Sequence, residues 1–144
     1  MRNSLLRAAA MLAVSGMFAA PLAAKERGTF IDGTFATEAG CKKLEAIAGG
    51  KTRNVETVPE VLTADGFAGW EGSCEFTKVF EHEPGRVWVG LMYCVEGPST
   101  NVATYAFTKT GPDTFDVSGG GSDEPDEYRR CEAGAAAKPA EEKK

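Results

Sequence analysis

The chain has 144 residues, with 16 Lys and Arg against 21 Asp and Glu and a formal net charge of −5. That balance excludes a nucleic-acid binder, because neutralising phosphates requires a basic face. The length fits one domain, large enough to bury a modest core.

Residues 1–24 read MRNSLLRAAAMLAVSGMFAAPLAA. Arg2 and Arg7 give a basic start, and Met11 to Ala20 is an apolar run too short to span a bilayer. Pro21 follows, then Leu22-Ala23-Ala24, which ends in small residues. This is the pattern of a secretory signal peptide cleaved after Ala24 rather than of a membrane anchor. No cysteine stands at the cleavage site, which argues against a lipoprotein. Cleavage leaves 120 residues and removes two arginines and no acid, so the net charge moves from −5 to −7. The expected product is periplasmic or secreted and does not span a membrane.

In the mature chain, Phe30 and Phe35 lie in an extended stretch broken at Asp32-Gly33. Thr37 caps a short helix, Glu38 suits its positive end, and Gly49 or Gly50 ends it. Cys41, Leu44, Ile47 and Ala48 fall on one face of that helix. Lys51 to Glu56 reads as loop and Val58 to Thr63 as a strand with Pro59 at its edge. Ala64-Asp65-Gly66 is a turn leading into a hairpin from Phe67 to Val95, whose arms meet at a loop over His82 to Gly85. Val102 to Lys109 alternates strictly, with Ala103, Tyr105 and Phe107 on one face, and Thr114 to Val117 is a further strand. Gly119 to Glu127 reads as a flexible acidic loop, and Tyr128 to Cys131 as ordered again. Residues 132–144 read as a disordered tail. Strands joined by short turns, without helices between them, make an all-β domain over residues 25–131. Its expected form is an antiparallel meander with one short N-terminal helix, curled into a small barrel or half-barrel.

Four cysteines without any C-x-x-C spacing point to two disulfides rather than a zinc site. Three pairings are possible. Cys74–Cys94 with Cys41–Cys131 is preferred, because the first pair lies on adjacent arms of one hairpin. Register raises a conflict. Val87, Val89, Leu91, Tyr93 and Val95 share one face of the second arm, and Cys74, Phe76 and Phe80 share one face of the first. Pairing these apolar faces sets Cys74 beside Tyr93 and turns Cys94 away. It also puts Trp88 on the face away from Val87 and Val89, against the helix or in solvent. A bulge at Gly90 would resolve the conflict.

No catalytic or cofactor motif rises above background, and no metal-ligand set is apparent. His82, the single histidine, sits between Glu81 and Glu83 and reads as a solvated turn residue. Asp123, Glu124, Asp126 and Glu127 lack the spacing of a calcium loop and read as a contact surface for a basic partner. Trp70, Trp88, Phe67, Phe76, Phe80 and Phe107 read first as core and second as the lining of an apolar ligand pocket.

Trp70-Glu71-x-x-Cys74, Cys94-x-Glu96-Gly97 and Tyr128-Arg129-Arg130-Cys131 resemble small exported bacterial β-proteins of uncharacterised function. The resemblance implies an exported, disulfide-bonded β-domain and carries over no functional residue. In size and style the chain is also similar to the periplasmic lysozyme inhibitors. The Ser-Gly-x-x-Tyr loop of the c-type inhibitors does not carry over, since Ser118-Gly119-Gly120-Gly121-Ser122 has Ser where Tyr belongs. The expected function is therefore a non-enzymatic envelope protein that binds a macromolecular partner, with a lipocalin-like carrier second and a hydrolase last. N-terminal sequencing of the exported protein should begin at Lys25; an intact Met1 on membrane-bound material would refute export.

Overall fold

The computed structural model describes residues 27–51 and 57–132, without the side chain of Asp123. The expected signal peptide, and the expected tail apart from Glu132, lie outside the described residues. In chain order the elements are β1 (Phe35–Ala36), α1 (Glu38–Ala48), β2 (Val61–Thr63), β3 (Gly66–Ala68), β4 (Gly72–Glu83), β5 (Val87–Glu96), β6 (Ser99–Gly111), β7 (Thr114–Gly119) and β8 (Ser122–Arg130). Every strand pairs antiparallel with the next, and β8 returns to β1 at Phe35 and Ala36. The meander is thus a closed barrel rather than a half-barrel.

The helix forms as its sequence dictates. The Thr37 hydroxyl accepts a hydrogen bond from the Gly40 N–H at 3.2 Å, satisfying one of the unpaired donors of the first turn. Gly49 closes the last turn by donating its N–H to the Glu45 carbonyl at 2.9 Å. The buried face is Gly40, Cys41 and Leu44. Ile47 is only half-buried and Ala48 is exposed, so the apolar face ends earlier than its spacing predicts. Cys41, Leu44, Ala36 and Cys131 make a small second core outside the barrel, held by the Cys41–Cys131 disulfide.

The central hairpin differs from the sequence expectation in three ways. First, it does not begin at Phe67. Phe67 belongs to β3, and a tight turn at Gly69–Gly72 separates β3 from β4. Second, β4 continues through His82 to Glu83, so the loop is Pro84 to Arg86, closed by the Arg86 N–H on the Glu83 carbonyl at 3.0 Å. Third, the bulge sits at Thr77 in the first arm, not at Gly90 in the second. Phe76 faces Met92 and Lys78 faces Leu91, leaving Thr77 unpaired in the ladder, its hydroxyl donating to the Leu91 carbonyl at 2.8 Å. A second irregularity leaves His82 unpaired between Glu81 and Glu83. The Thr77 bulge changes the phase of β4 midway. It sets Cys74 directly opposite Cys94, and the two are disulfide-bonded.

The phase of β5 is the reverse of the apolar-face expectation. Trp88, Gly90, Met92 and Cys94 point inward and are buried. Val87, Val89, Leu91, Tyr93 and Val95 line the outside. Volume explains this. An eight-stranded barrel is only just wide enough to be filled by side chains. A Cβ on Gly90 would lie 2.7 Å from the Phe76 ring and 3.1 Å from that of Phe107, so the two rings occupy the space this glycine leaves. Phe35, Phe76, Phe107, Phe115, Leu62 and Met92 fill the rest of the interior. The segment before β1 crosses the far end of the barrel. Its Phe30 stacks on Trp88 with centroids 4.5 Å apart and touches the rings of Phe76, Phe107 and Phe115. Trp88, expected against the helix or in solvent, is thus part of the core at 8% exposure.

The Cys41–Cys131 bridge closes a 90-residue separation and the Cys74–Cys94 bridge one of 20. In the chain-entropy treatment these correspond to about 4.6 and about 3.3 kcal/mol. Cys41→Ser with Cys131→Ser should therefore lower the melting midpoint by more than about 15 °C. Cys74→Ser with Cys94→Ser should lower it less, and calorimetry of the two double variants checks the order.

Candidate functional site

The end of the barrel opposite Phe30 is open. The turns β3–β4, β5–β6 and β7–β8 rise around it, joined by the segment Thr57–Glu60 before β2. Together they enclose a basin of about 1010 Å³. Its floor includes the Cys74–Cys94 disulfide and Tyr105, whose hydroxyl lies 4.0 Å from the Cys74 sulfur. Below, Phe67 packs on Tyr105 and Phe107 with centroids 5.0 and 6.1 Å away, which closes the basin from the core.

The rim carries the distinctive side chains. The Gly69 N–H donates to the Gly72 carbonyl at 2.9 Å, which leaves Trp70 and Glu71 at the tip of the turn. Trp70 is 68% exposed, so its indole stands over the basin in contact with water. Glu71, Glu60 and Glu96 add three carboxylates to the lining and Lys43 one amine. The β7–β8 turn is held by geometry. Gly119, Gly120 and Gly121 all have positive φ, at 135°, 63° and 93°. A Cβ on Gly120 would lie 2.6 Å from the Tyr105 hydroxyl. These glycines let the backbone close over Tyr105 in a conformation other residues rarely adopt.

Two tyrosines connect the basin to the wall. Tyr128, buried on β8, donates its hydroxyl to Glu60 at 2.5 Å. Burial pushes its pKa far above the ordinary value, and the hydrogen bond to Glu60 and the charges of Glu60 and Asp126 push it further. Burial and the Glu60 carboxylate raise Tyr105 as well. Both hydroxyls therefore stay protonated as donors in a field made negative by carboxylates.

The predicted contact residues are placed differently from expectation. Gly119 to Glu127 is not a flexible loop: it is the end of β7, a tight turn and most of β8. Three residues of β8, positions 123 to 125, fall where the β7–β8 register shifts, between the pairs Val117–Asp126 and Gly119–Ser122. Pro125 lies there because it has no N–H to give to a ladder. The acidic run is also divided. Asp126 lies two residues from the inward Tyr128 and shares its face, whereas Glu127 pairs with Arg129 at 2.9 Å on the other. Glu124 is exposed, and the side chain of Asp123 lies outside the described residues. His82 is exposed at the far end of β4, away from the basin. Among the described residues no group of three or more His, Cys, Asp or Glu is placed to hold a metal.

Sequence reasoning missed Glu60, Tyr105 and Tyr128 as parts of one site, because they come from segments as much as 68 residues apart. For Trp70 a signal was present: Gly-Trp-Glu-Gly is a turn composition, and an aromatic residue at a turn tip has no core to enter.

Fold and site define a small, doubly disulfide-bonded antiparallel barrel, plugged at one end and open at the other. No protein-family model matches the chain, and neither the curated proteins nor the solved structures contain a significant match. Among the described residues no helix is long and apolar enough to cross a membrane. The two disulfides fit an oxidising compartment.

Tyr128→Phe should cost about 1–2 kcal/mol, since it removes one hydrogen bond to a charged acceptor. It should also change the alkaline limb of stability. The unfolded chain releases this proton near the ordinary value of 10.0 and the folded chain keeps it. Stability from this group is therefore complete below pH 10 and falls as pH rises above it. Denaturant melts from pH 8 to 11 should show a shallower decline in the variant.

Proposed function

We propose that this protein is an exported, non-enzymatic binding module of the cell envelope that engages a basic macromolecular partner through the mouth of its barrel. The observation that carries this reading is Trp70, 68% exposed on a hydrogen-bonded turn at the rim of an open basin. A large aromatic side chain in water at the edge of a concavity is the residue type that most often anchors an interface. Its neighbours set the sign of the partner: three lining carboxylates outweigh Lys43, on a chain with a net charge of −5. A cation over the indole face, with carboxylates alongside, gains from both the ring and the charges. On β8, Asp126 lies close enough for its charge to act on Tyr128, and so adds to the negative field beside Glu60.

The packed aromatic interior weighs against a carrier of an apolar ligand, since the rings fill the space such a ligand would need. The hydrolase reading draws nothing from His82, which is remote from the basin.

Capture from a periplasmic extract tests the proposal. The wild-type protein as bait should retain basic proteins that elute with moderate salt. Trp70→Ala, and separately Glu71→Gln with Glu96→Gln, should lose most of that retention with the melting midpoint within about 1 °C of wild type. Equal retention on all three baits would refute a partner site at the mouth.

A further inference from the structure

Glu60 lines the basin and meets two parts of it that come from distant stretches of the chain. On one side its Oε1 accepts a hydrogen bond from the hydroxyl of the buried Tyr128 at 2.5 Å. On the other it lies against the turn that carries Trp70. Val61 pairs with Ala68, so Glu60 comes opposite Gly69, and a Cβ on Gly69 would lie 3.2 Å from the Glu60 Cα. The missing side chain at position 69 is what lets the two segments approach this closely. Glu60 itself is exposed. Among the described residues its carboxylate has no partner besides Tyr128, and Lys43, the one basic residue of the lining, makes no ion pair with it. The second oxygen, Oε2, is therefore open to a ligand.

We infer, resting on the reading of the mouth as the partner site, that Glu60 seats a lysine side chain of the partner, and that Tyr128 sets a preference for lysine over arginine by holding one oxygen of that seat. The two cations ask different things of a carboxylate. A guanidinium binds best as a fork, with parallel N–H bonds to both oxygens. Here one oxygen is already engaged by a hydroxyl fixed in the barrel wall. An ammonium is a point charge with three donors and needs only the open oxygen. The exposed indole of Trp70 attracts either cation, so the choice between them falls to Glu60. The methylene stem of a lysine lies along that indole while its head reaches the carboxylate. Tyr105 feels the same carboxylate, stays protonated, and keeps an oxygen lone pair to accept a second ammonium N–H. A chain amino terminus offers the same ammonium but has no stem to cover the indole. The basin, at about 1010 Å³, has room for the segment that carries the lysine. Tyr128 is thus a positioning residue and Glu60 the contact.

Titration of the mature protein with single-residue probes, followed by NMR at the Trp70 indole N–H, tests this assignment. The probes are N-acetyl-lysine methylamide, N-acetyl-arginine methylamide and glycine methylamide, the last carrying a free amino terminus. The lysine probe should bind wild type tightest, by about threefold or more over each of the others. Glu60→Gln keeps an oxygen to accept from Tyr128 and loses the charge. It should weaken the lysine probe by about tenfold while the variant still melts cooperatively. Tyr128→Phe leaves the charge and frees both oxygens, so it should turn the preference towards arginine. A purely structural role for Tyr128 would weaken both probes alike and leave their ratio unchanged. The inference is overturned if arginine or the amino terminus binds wild type as tightly as lysine, or if no probe binds. It is equally overturned if Glu60→Gln binds lysine as wild type does, or if the lysine-to-arginine ratio survives Tyr128→Phe. Each of those results is compatible with capture from the extract, which fails separately if Trp70→Ala retains partner as well as wild type does.

Discussion

Gly90 leaves the space in which Phe76 and Phe107 lie, and the rest of the barrel follows from that fit. A closed eight-stranded barrel has a narrow interior, so its inner row is chosen by volume before hydrophobicity. On β5 the row Trp88, Gly90, Met92, Cys94 can share the interior with rings from β4, β6 and β7. The alternative row, with five large apolar residues in succession, would force the rings of Phe76 and Phe107 out of place. The inner row wins because one position in it is empty. The consequence is an outer face that is unusually apolar for a protein surface.

The same phase choice reaches the mouth. With Cys94 inward, Cys74 must also be inward to bond with it, and the extra residue at Thr77 makes that possible while Phe76 still enters the core. The disulfide then forms part of the basin floor. The far end is closed by Phe30 stacked on Trp88, and the basin opens where the three upper turns rise. Core, bridge and basin are thus results of one register. Inner residues of β4 and β5 below the bridge, such as Phe76 and Gly90, act on the site through that register, whereas Cys74 and Cys94 line it directly.

Charge is distributed in a matching way. Carboxylates gather around the mouth, where Tyr128 and Tyr105 remain protonated beside Glu60. The outer rows of β5, from Val87 to Val95, and of β6, from Thr100 to Thr108, carry no charge.

The sequence by itself determined the elements governed by local chemistry. The Thr37 cap and Gly49 stop of the helix, the turn at Ala64–Gly66, the alternation of β6 and the antiparallel meander were all legible. Each is decided by residues within a few positions of one another. The cysteine pairing was legible because adjacent hairpin arms limit the choices. The tertiary structure alone decided which face of β5 turns inward, since that depends on the volumes of Phe76 and Phe107, side chains from other strands. It also decided that Gly119 to Glu127 is a turn and a strand. Glycine-rich acidic sequence looks mobile when taken alone, yet here the glycines are what lets the backbone close over Tyr105. The basin was invisible for the same reason: Glu60, Trp70, Tyr105 and Tyr128 become neighbours only when the barrel shuts, and closure is a property of the whole sheet, which no single stretch encodes.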